Sequence, residues 1–445
     1  MTDPRSVREI ALGILLRVGK GAHASPLLDA RGRELDARDR DFLRALVRKT
    51  LRGAIRLDHV VQRHLRQPAA SLDPPVLAAL RLGAAQLLLM DRVPAHAAVG
   101  ETVAAIRLFA PKAAGLVNAV LRRVVDREAK PGVVRLPPGA DAVARLALET
   151  SHPEWLVRRW TAAFGEAAAR AALEADDVDS PTDLLADPRA GSIDEILAAL
   201  AGGGVTAERS PWAPLALTVT EGNAATHPLV AGGALAVVDV AAQGMAALLP
   251  RADVVLDLAA APGGKTRVLL ATGRARRVVA LERTGSRASR LAANLAAAGR
   301  RDEVLVVRAD AGAPPLPRET FESVLLDAPC SGTGTLRKNP EIRLRLAPGD
   351  LAAFAAVQRR LLDAALSLLA PGGSLLYVTC SLEPEENENV VDAVLASRPA
   401  FARVRPAVEM SQPLAERTDS SGLVRVTPGP AHDGFSALLM TRLRR

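Results

Sequence analysis

A chain of 445 residues is too long for one ordinary domain, and 49% hydrophobic residues are ample for more than one core. Two cysteines exclude a disulfide framework and point to a reducing compartment, while 2% aromatics exclude a binding mode built on many stacked bases. The net charge of +8 is unevenly spread: residues 1–140 hold 24 Lys+Arg against 13 Asp+Glu, and the rest hold 33 against 36. A basic first third joined to a near-neutral remainder suggests a polyanion partner for the one and chemistry for the other. The plainer alternative is a set of Arg-rich helices that are merely solvated.

The opening "MTDPRSVREI" is charged, and the apolar run after it is too short and interrupted for a signal peptide or a membrane span. It predicts a cytoplasmic protein without membrane association. In "VREIALGILLRV" the residues Val7, Ile10, Ala11, Ile14, Leu15 and Val18 follow the helical period and define one buried stripe. Asp73 is a candidate N-cap with Pro74 at the first helical position. "AGLVNAVLRRVVD" repeats the stripe through Leu116, Val117, Val120, Leu121 and Val124. A helical bundle over 1–140 follows, closed by the breakers Pro131, Gly132, Pro137, Pro138 and Gly139.

Residues 141–235 read as a small α+β connector, with a helix capped by Ser151 and short strands such as "APLALTV". From 236 to 445 strand and helix alternate. "DVVLDL", "RVVALE", "EVLVVR", "SVLLD" and "SLLYVT" read as strands, which predicts an α/β domain with a doubly wound parallel sheet. Ligands of such sheets bind beyond the carboxyl ends of the strands.

The loop "DLAAAPGGKT" lies at one such end, with Gly263 and Gly264 permitting close backbone approach before a helix. A phosphate-gripping P-loop would need glycine where Ala259 stands, and the dinucleotide spacing is absent. A loop for the amino-acid end of S-adenosyl-L-methionine remains. Glu282 ends the next strand, where a carboxylate takes ribose hydroxyls. Asp310 follows the third strand, in reach of an adenine, and Asp327 closes the fourth. Each acid taken singly is also an ordinary exposed carboxylate or cap.

Cys330 in "DAPCSG" and Cys380 in "VTCSLEP" both stand just past strand ends. Two cysteines 50 residues apart with scarce histidine do not make a metal site. A buried thiol can be a small hydrophobe, but beside a cofactor loop it reads as a nucleophile. Carbon 5 of cytosine is too electron-poor to take a methyl group until a thiolate adds to carbon 6, and nearby Lys265 could activate such a thiol. The residues alone leave open which cysteine attacks. "RKNP" (337–340) offers two cations for a phosphate or a solvated pair, and the acids of "EPEENE" read as a helix start.

The stretches "DLAAAPGGKT", "LLDAPCSGTGTLRKNPEIR", "YVTCSLEPEENE" and "HDGFSALLMTR" resemble the RsmB/NOP-type RNA cytosine-5 methyltransferases. "VPAHAAVGETV" and "GLVNAVLRRV" are similar to the NusB-type RNA-binding helical domain of bacterial members. The resemblance implies an all-helical NusB-like N-terminal domain and a Rossmann-like, class I S-adenosyl-L-methionine-dependent catalytic domain. It makes Cys380 the nucleophile and gives Cys330 a part in release. Asp327 would hydrogen-bond the cytosine with Lys265 nearby. The cofactor would be lined by Ala259, Ala260, Ala261, Pro262, Gly263, Gly264, Lys265, Glu282, Asp310 and Asp327. The implied substrate is small-subunit ribosomal RNA in single-stranded or loop form, because the base must leave its stack to reach a thiol. The expected enzyme is a monomer without a metal. A non-catalytic RNA-binding scaffold, or methylation of an exocyclic nitrogen, would leave the paired cysteines unexplained.

Overall fold

The computed structural model describes residues 6–128, 139–407 and 409–444. The chain forms two compact units: one holds the polypeptide up to Val178 together with Leu336–Leu346, the other Asp179–Thr335 and the chain from Ala347 onward. Among the described residues no helix is long and apolar enough to cross a membrane.

The first unit is helical. Its opening helix, Val7–Gly19, starts at a capping box in which Ser6 and Glu9 each satisfy the other's backbone amide, and it buries Val7, Ala11, Ile14, Leu15 and Val18. Ile10 is half-buried at the edge of that stripe. In Ala114–Arg127 the residues Val117, Val120, Leu121 and Val124 are buried, but Leu116 is 43% exposed. Successive helical residues turn by about 100°, so Leu116 falls outside the narrow face that the other four share. Pro74 opens the helix Pro74–Leu89 at its first position, with Asp73 as a cap residue that makes no side-chain cap bond. Ser151 does not start a helix as expected. It ends Ala142–Thr150 in a left-handed conformation (φ 55°), and Pro153 precedes the next helix, Glu154–Phe164. Of the breakers, Pro131, Gly132, Pro137 and Pro138 lie outside the described residues, and Gly139 has φ 76°.

The returning segment Leu336–Leu346 is built into this unit by arginines. Arg343, fully buried, donates to the backbone carbonyls of Arg52 (3.2 Å) and Asp176 (2.8 Å) and to the Asp177 carboxylate (3.2 Å). Arg345 donates to the carbonyls of Val18 (2.8 Å) and Gly21 (3.0 Å). Arg337, a candidate phosphate grip by sequence, is only 2% exposed. Burial takes its guanidinium out of reach of a ligand in solvent.

In the second unit, β1 (Thr182–Ala186), β2 (Thr206–Arg209), β3 (Ala216–Glu221) and β4 (Leu235–Val237) form an antiparallel sheet in the order β2-β3-β1-β4. The larger sheet comprises β5 (Ala252–Leu258), β6 (Ala275–Glu282), β7 (Val304–Arg308), β8 (Phe321–Asp327), β9 (Leu369–Thr379), β10 (Phe401–Val404), β11 (Val424–Val426) and β12 (Phe435–Arg442). Its order is β10-β12-β9-β8-β5-β6-β7, with β11 paired to β12. The strands β5 to β9 are parallel as expected, whereas β12 runs antiparallel to β9, so the sheet is mixed. Alternation sorts the side chains onto two faces: Val255, Leu325, Leu376 and Val378 enter one apolar cluster, Leu256, Val324, Leu326 and Tyr377 the other. Strand order reverses between β5 and β8, which puts the crevice for a ligand beyond their carboxyl ends.

Candidate active site

Beyond β5 the chain makes a tight turn. Ala259 sits at φ 64°, Ala261–Pro262 is a cis peptide, and Gly263 has φ 106°. Gly263 is at a φ that favours glycine, and a Cβ there would stand 2.8 Å from the Leu291 side chain, which would have to shift. The turn is held from outside: Ala260 donates to the Leu281 carbonyl (2.9 Å), Arg287 to that of Ala261 (2.8 Å) and Asn294 to that of Pro262 (2.9 Å). Gly263 caps the helix Gly264–Ala271, whose first turn carries Lys265 and Thr266.

Asp257, the buried acid at the end of β5, accepts from the Thr266 hydroxyl (2.6 Å) through one oxygen, and its other oxygen has no donor. Burial pushes its carboxyl up to about 7; the charge of Asp327 adds to the rise, while Thr266 and Lys265 oppose it. At the end of β6, Glu282 is buried, accepts from the Thr284 amide (2.9 Å) and pairs with Arg287 (3.1 Å). Beyond the adjacent β7, Asp310 accepts from the Gly312 amide (2.9 Å) and from Arg360 (3.0 Å), and these two donors lower its carboxyl below the usual range.

Asp327 ends β8 and forms an ion pair of 2.8 Å with Lys265, which crosses from the first loop and stands 5.3 Å from the Phe435 ring centre. Burial works against the Lys265 ammonium, but Asp327, with help from Cys380 and Asp257, holds its pKa above the ordinary value. The two thiols meet: Cys330 Sγ and Cys380 Sγ are 3.3 Å apart and both are free. The hydrogen bond with Cys380, then burial, then the charges of Cys380 and Glu386 raise the Cys330 thiol well above its usual pKa. The loops that carry the thiols are stitched to β9 and β12. Ala328 donates to the Val378 carbonyl (2.8 Å), Gly334 to that of Cys380 (2.9 Å) and Gly434 to that of Gly334 (2.7 Å).

The residues expected to hold the cofactor and carry the chemistry thus lie at the carboxyl ends of β5 to β9, whereas Arg337 does not. The sequence reading missed the group beneath them. Glu386, within the acidic run taken for a helix start, is fully buried. It accepts from the Ser331 amide (2.8 Å), the Ser331 hydroxyl, the Ser381 hydroxyl (2.5 Å) and the Gln358 amide (3.0 Å). The signal available in the sequence was the repeated Cys-Ser dipeptide. Among the described residues no group of three or more His, Cys, Asp or Glu could hold a metal ion.

Comparison with known proteins gives this geometry a lineage. Residues 245–440 match the family described as 16S rRNA methyltransferase RsmB/F, residues 5–126 the NusB family, and residues 152–226 the ferredoxin-like domain of RsmF/B-like methyltransferases. The chain is similar to ribosomal RNA small subunit methyltransferase B of Pseudomonas putida, with 36% identity over 97% of both chains. It is also similar to the protein of that name from Sodalis glossinidius, with 35% identity over 88% of this chain and 90% of the other. Among solved structures, PH0851 matches 99% of both chains with a TM-score of 0.82 at 24% identity, a likeness of fold. A methyltransferase homologue from Pyrococcus horikoshii matches 69% of this chain and all of its own with a TM-score of 0.56 at 25% identity. With a helical NusB portion, a mixed Rossmann-like sheet and relatives alike over nearly their whole length, the chain belongs to the RsmB/F family of 16S rRNA methyltransferases.

Proposed function

We propose that this enzyme transfers a methyl group from S-adenosyl-L-methionine to carbon 5 of a cytosine in small-subunit ribosomal RNA, through a covalent adduct with Cys380. The observation that carries the reading is the meeting of two free thiols, 3.3 Å apart, beside a Lys265–Asp327 ion pair at the switch point of the sheet. An exocyclic nitrogen would need no such pair.

The residues present suit the cofactor. The turn 259–264 carries only small side chains, three alanines and a proline before two glycines, and Glu282 presents a carboxylate at the end of β6, where ribose hydroxyls are bound in sheets of this kind. Asp310 would serve the adenine end, and Lys265 and Asp327 would border the reacting groups. Bound there, the cofactor supplies a methyl carbon on a positively charged sulfur.

The remaining chemistry belongs to the protein. Cys380 Sγ, as thiolate, adds to carbon 6 of the cytosine, and the electron pair of the 5,6 double bond moves to make carbon 5 nucleophilic. Asp327 hydrogen-bonds the base, and the Lys265 charge stabilises the negative charge that develops. Once carbon 5 carries the methyl group, its proton passes to water, the double bond reforms and Cys380 leaves as thiolate. Cys330, against Cys380, assists that release.

The test is incubation with labelled S-adenosyl-L-methionine and unmodified small-subunit ribosomal RNA. Cys380→Ala is expected to abolish transfer, and Cys330→Ala to accumulate a protein–RNA adduct that survives denaturation. Transfer at the normal rate by Cys380→Ala would refute the mechanism.

A further inference from the structure

Each thiol is followed by a serine, and the two serines converge on one carboxylate. Ser331, after Cys330, gives Glu386 both its amide (2.8 Å) and its hydroxyl; Ser381, after Cys380, gives its hydroxyl (2.5 Å), and the two hydroxyl oxygens are 3.3 Å apart. Gln358 on the helix Asp350–Ser367 donates at once to Glu386 (3.0 Å) and to the carbonyl of Pro329 (3.0 Å), the residue before Cys330. Glu386 is itself fixed through its backbone, whose carbonyl accepts from the Tyr377 hydroxyl (2.6 Å). Asn387 holds the carbonyls of Ser381 (3.0 Å) and Glu383 (2.9 Å). Glu386, Gln358, Ser381, Asn387 and Tyr377 show no exposed surface, and Ser331 is 5% exposed.

A buried carboxylate with only neutral donors is an expensive way to hold two loops together. Structure alone could have been served by an amide or by apolar packing. What the carboxylate alone provides is an acceptor on all sides, which fixes both serines in one sense, and a negative charge on the Cys330 side of the pair. We propose that Glu386 is the positioning residue of the thiol pair, setting the approach of Cys330 to Cys380 through the serine that follows each. This rests on the two-thiol reading above. The charged and titratable groups that act on the pair are Glu386 and Tyr377, toward Cys330, and Lys265, toward Cys380.

The experiment compares wild type, Glu386→Gln and the double variant Ser331→Ala/Ser381→Ala, each as the full chain. Labelled methyl transfer gives kcat and KM, and iodoacetamide labelling across pH, mapped by mass spectrometry, reports each thiol. Glu386→Gln keeps the size and one acceptor oxygen, and circular dichroism checks its fold; kcat is expected to fall about 100-fold with KM for RNA and cofactor unchanged. Without the negative charge, the Cys330 thiol is expected to ionise at lower pH, so its alkylation profile moves to lower pH than that of wild type. The double serine variant is expected to share the loss of kcat but not the gain in Cys330 reactivity. Wild-type kcat and wild-type alkylation profiles in both variants would overturn the proposal. Because the alkylation readout needs no RNA, it stands or falls separately from the base chemistry, which Cys380→Ala tests.

Discussion

Asp257 is the most informative single substitution. Its carboxyl is buried with one hydrogen-bond donor, Thr266, and titrates near pH 7, against about 3.9 in an unfolded chain. Between those two values the folded state holds a proton that the unfolded state has released, so this group makes stability fall as pH rises from about 4 to about 7. Over the whole range from below pH 4 to above pH 7 this amounts to about 4 kcal/mol. Asp257→Asn removes the titration and keeps an oxygen for the Thr266 hydroxyl. Between pH 5 and pH 8, which spans most of that titration, the wild-type catalytic unit is therefore expected to lose about 2.6 kcal/mol more than the variant. At about 2 °C per kcal/mol for a unit of this size, the melting temperatures should diverge by about 5 °C. Thermal unfolding of both proteins in matched buffers at pH 5, 6, 7 and 8 measures it. Parallel curves for the two proteins over that range would refute the reasoning.

Three further outcomes follow from the same geometry. Lys265→Met leaves Asp327 without its 2.8 Å partner and is expected to lower kcat by about 100-fold, read by labelled methyl transfer. Gly334→Ala would press a Cβ against the backbone carbonyl of Gly434; a loss of about 1–3 kcal/mol is expected, seen as a lower melting temperature of the catalytic unit. Arg343→Met strips an ion pair and several carbonyl contacts from the buried centre of the helical unit, at about 3–5 kcal/mol, measured by denaturant unfolding followed through helical circular dichroism.

What could be read in advance was local. Glycines before a helix, apolar runs that end in an acid or a thiol, and a 3.6-residue stripe each declare themselves within a dozen residues. The turn at Gly263 and the strand ends at Glu282 and Asp327 belong to that class. Leu116 and Ser151 misled because a residue at the rim of a stripe, or between two helices, can fall either way. Glu386 and Arg337 were illegible for another reason. A charged residue in a charged run looks solvated, and only contacts between distant parts of the chain, Ser331 to Glu386 or Arg52 to Arg337, bury it. The strand β12 was missed because its run "FSALLM" is apolar on both faces and lacks the alternation that marks a strand half-open to water.

The discontinuity of the helical unit sets a timetable for synthesis. Its helices up to Ala175 leave the ribosome early, yet Leu336–Leu346 arrives only after the whole of Asp179–Thr335 has been made. At about 5–20 residues per second, about 160 residues take on the order of ten to thirty seconds. For that interval Asp177 has Arg56 but not yet Arg343, and the Asp176 carbonyl lacks its Arg343 donor. The loop bearing Cys330 is therefore tethered on its far side to a segment whose seat was prepared well before it.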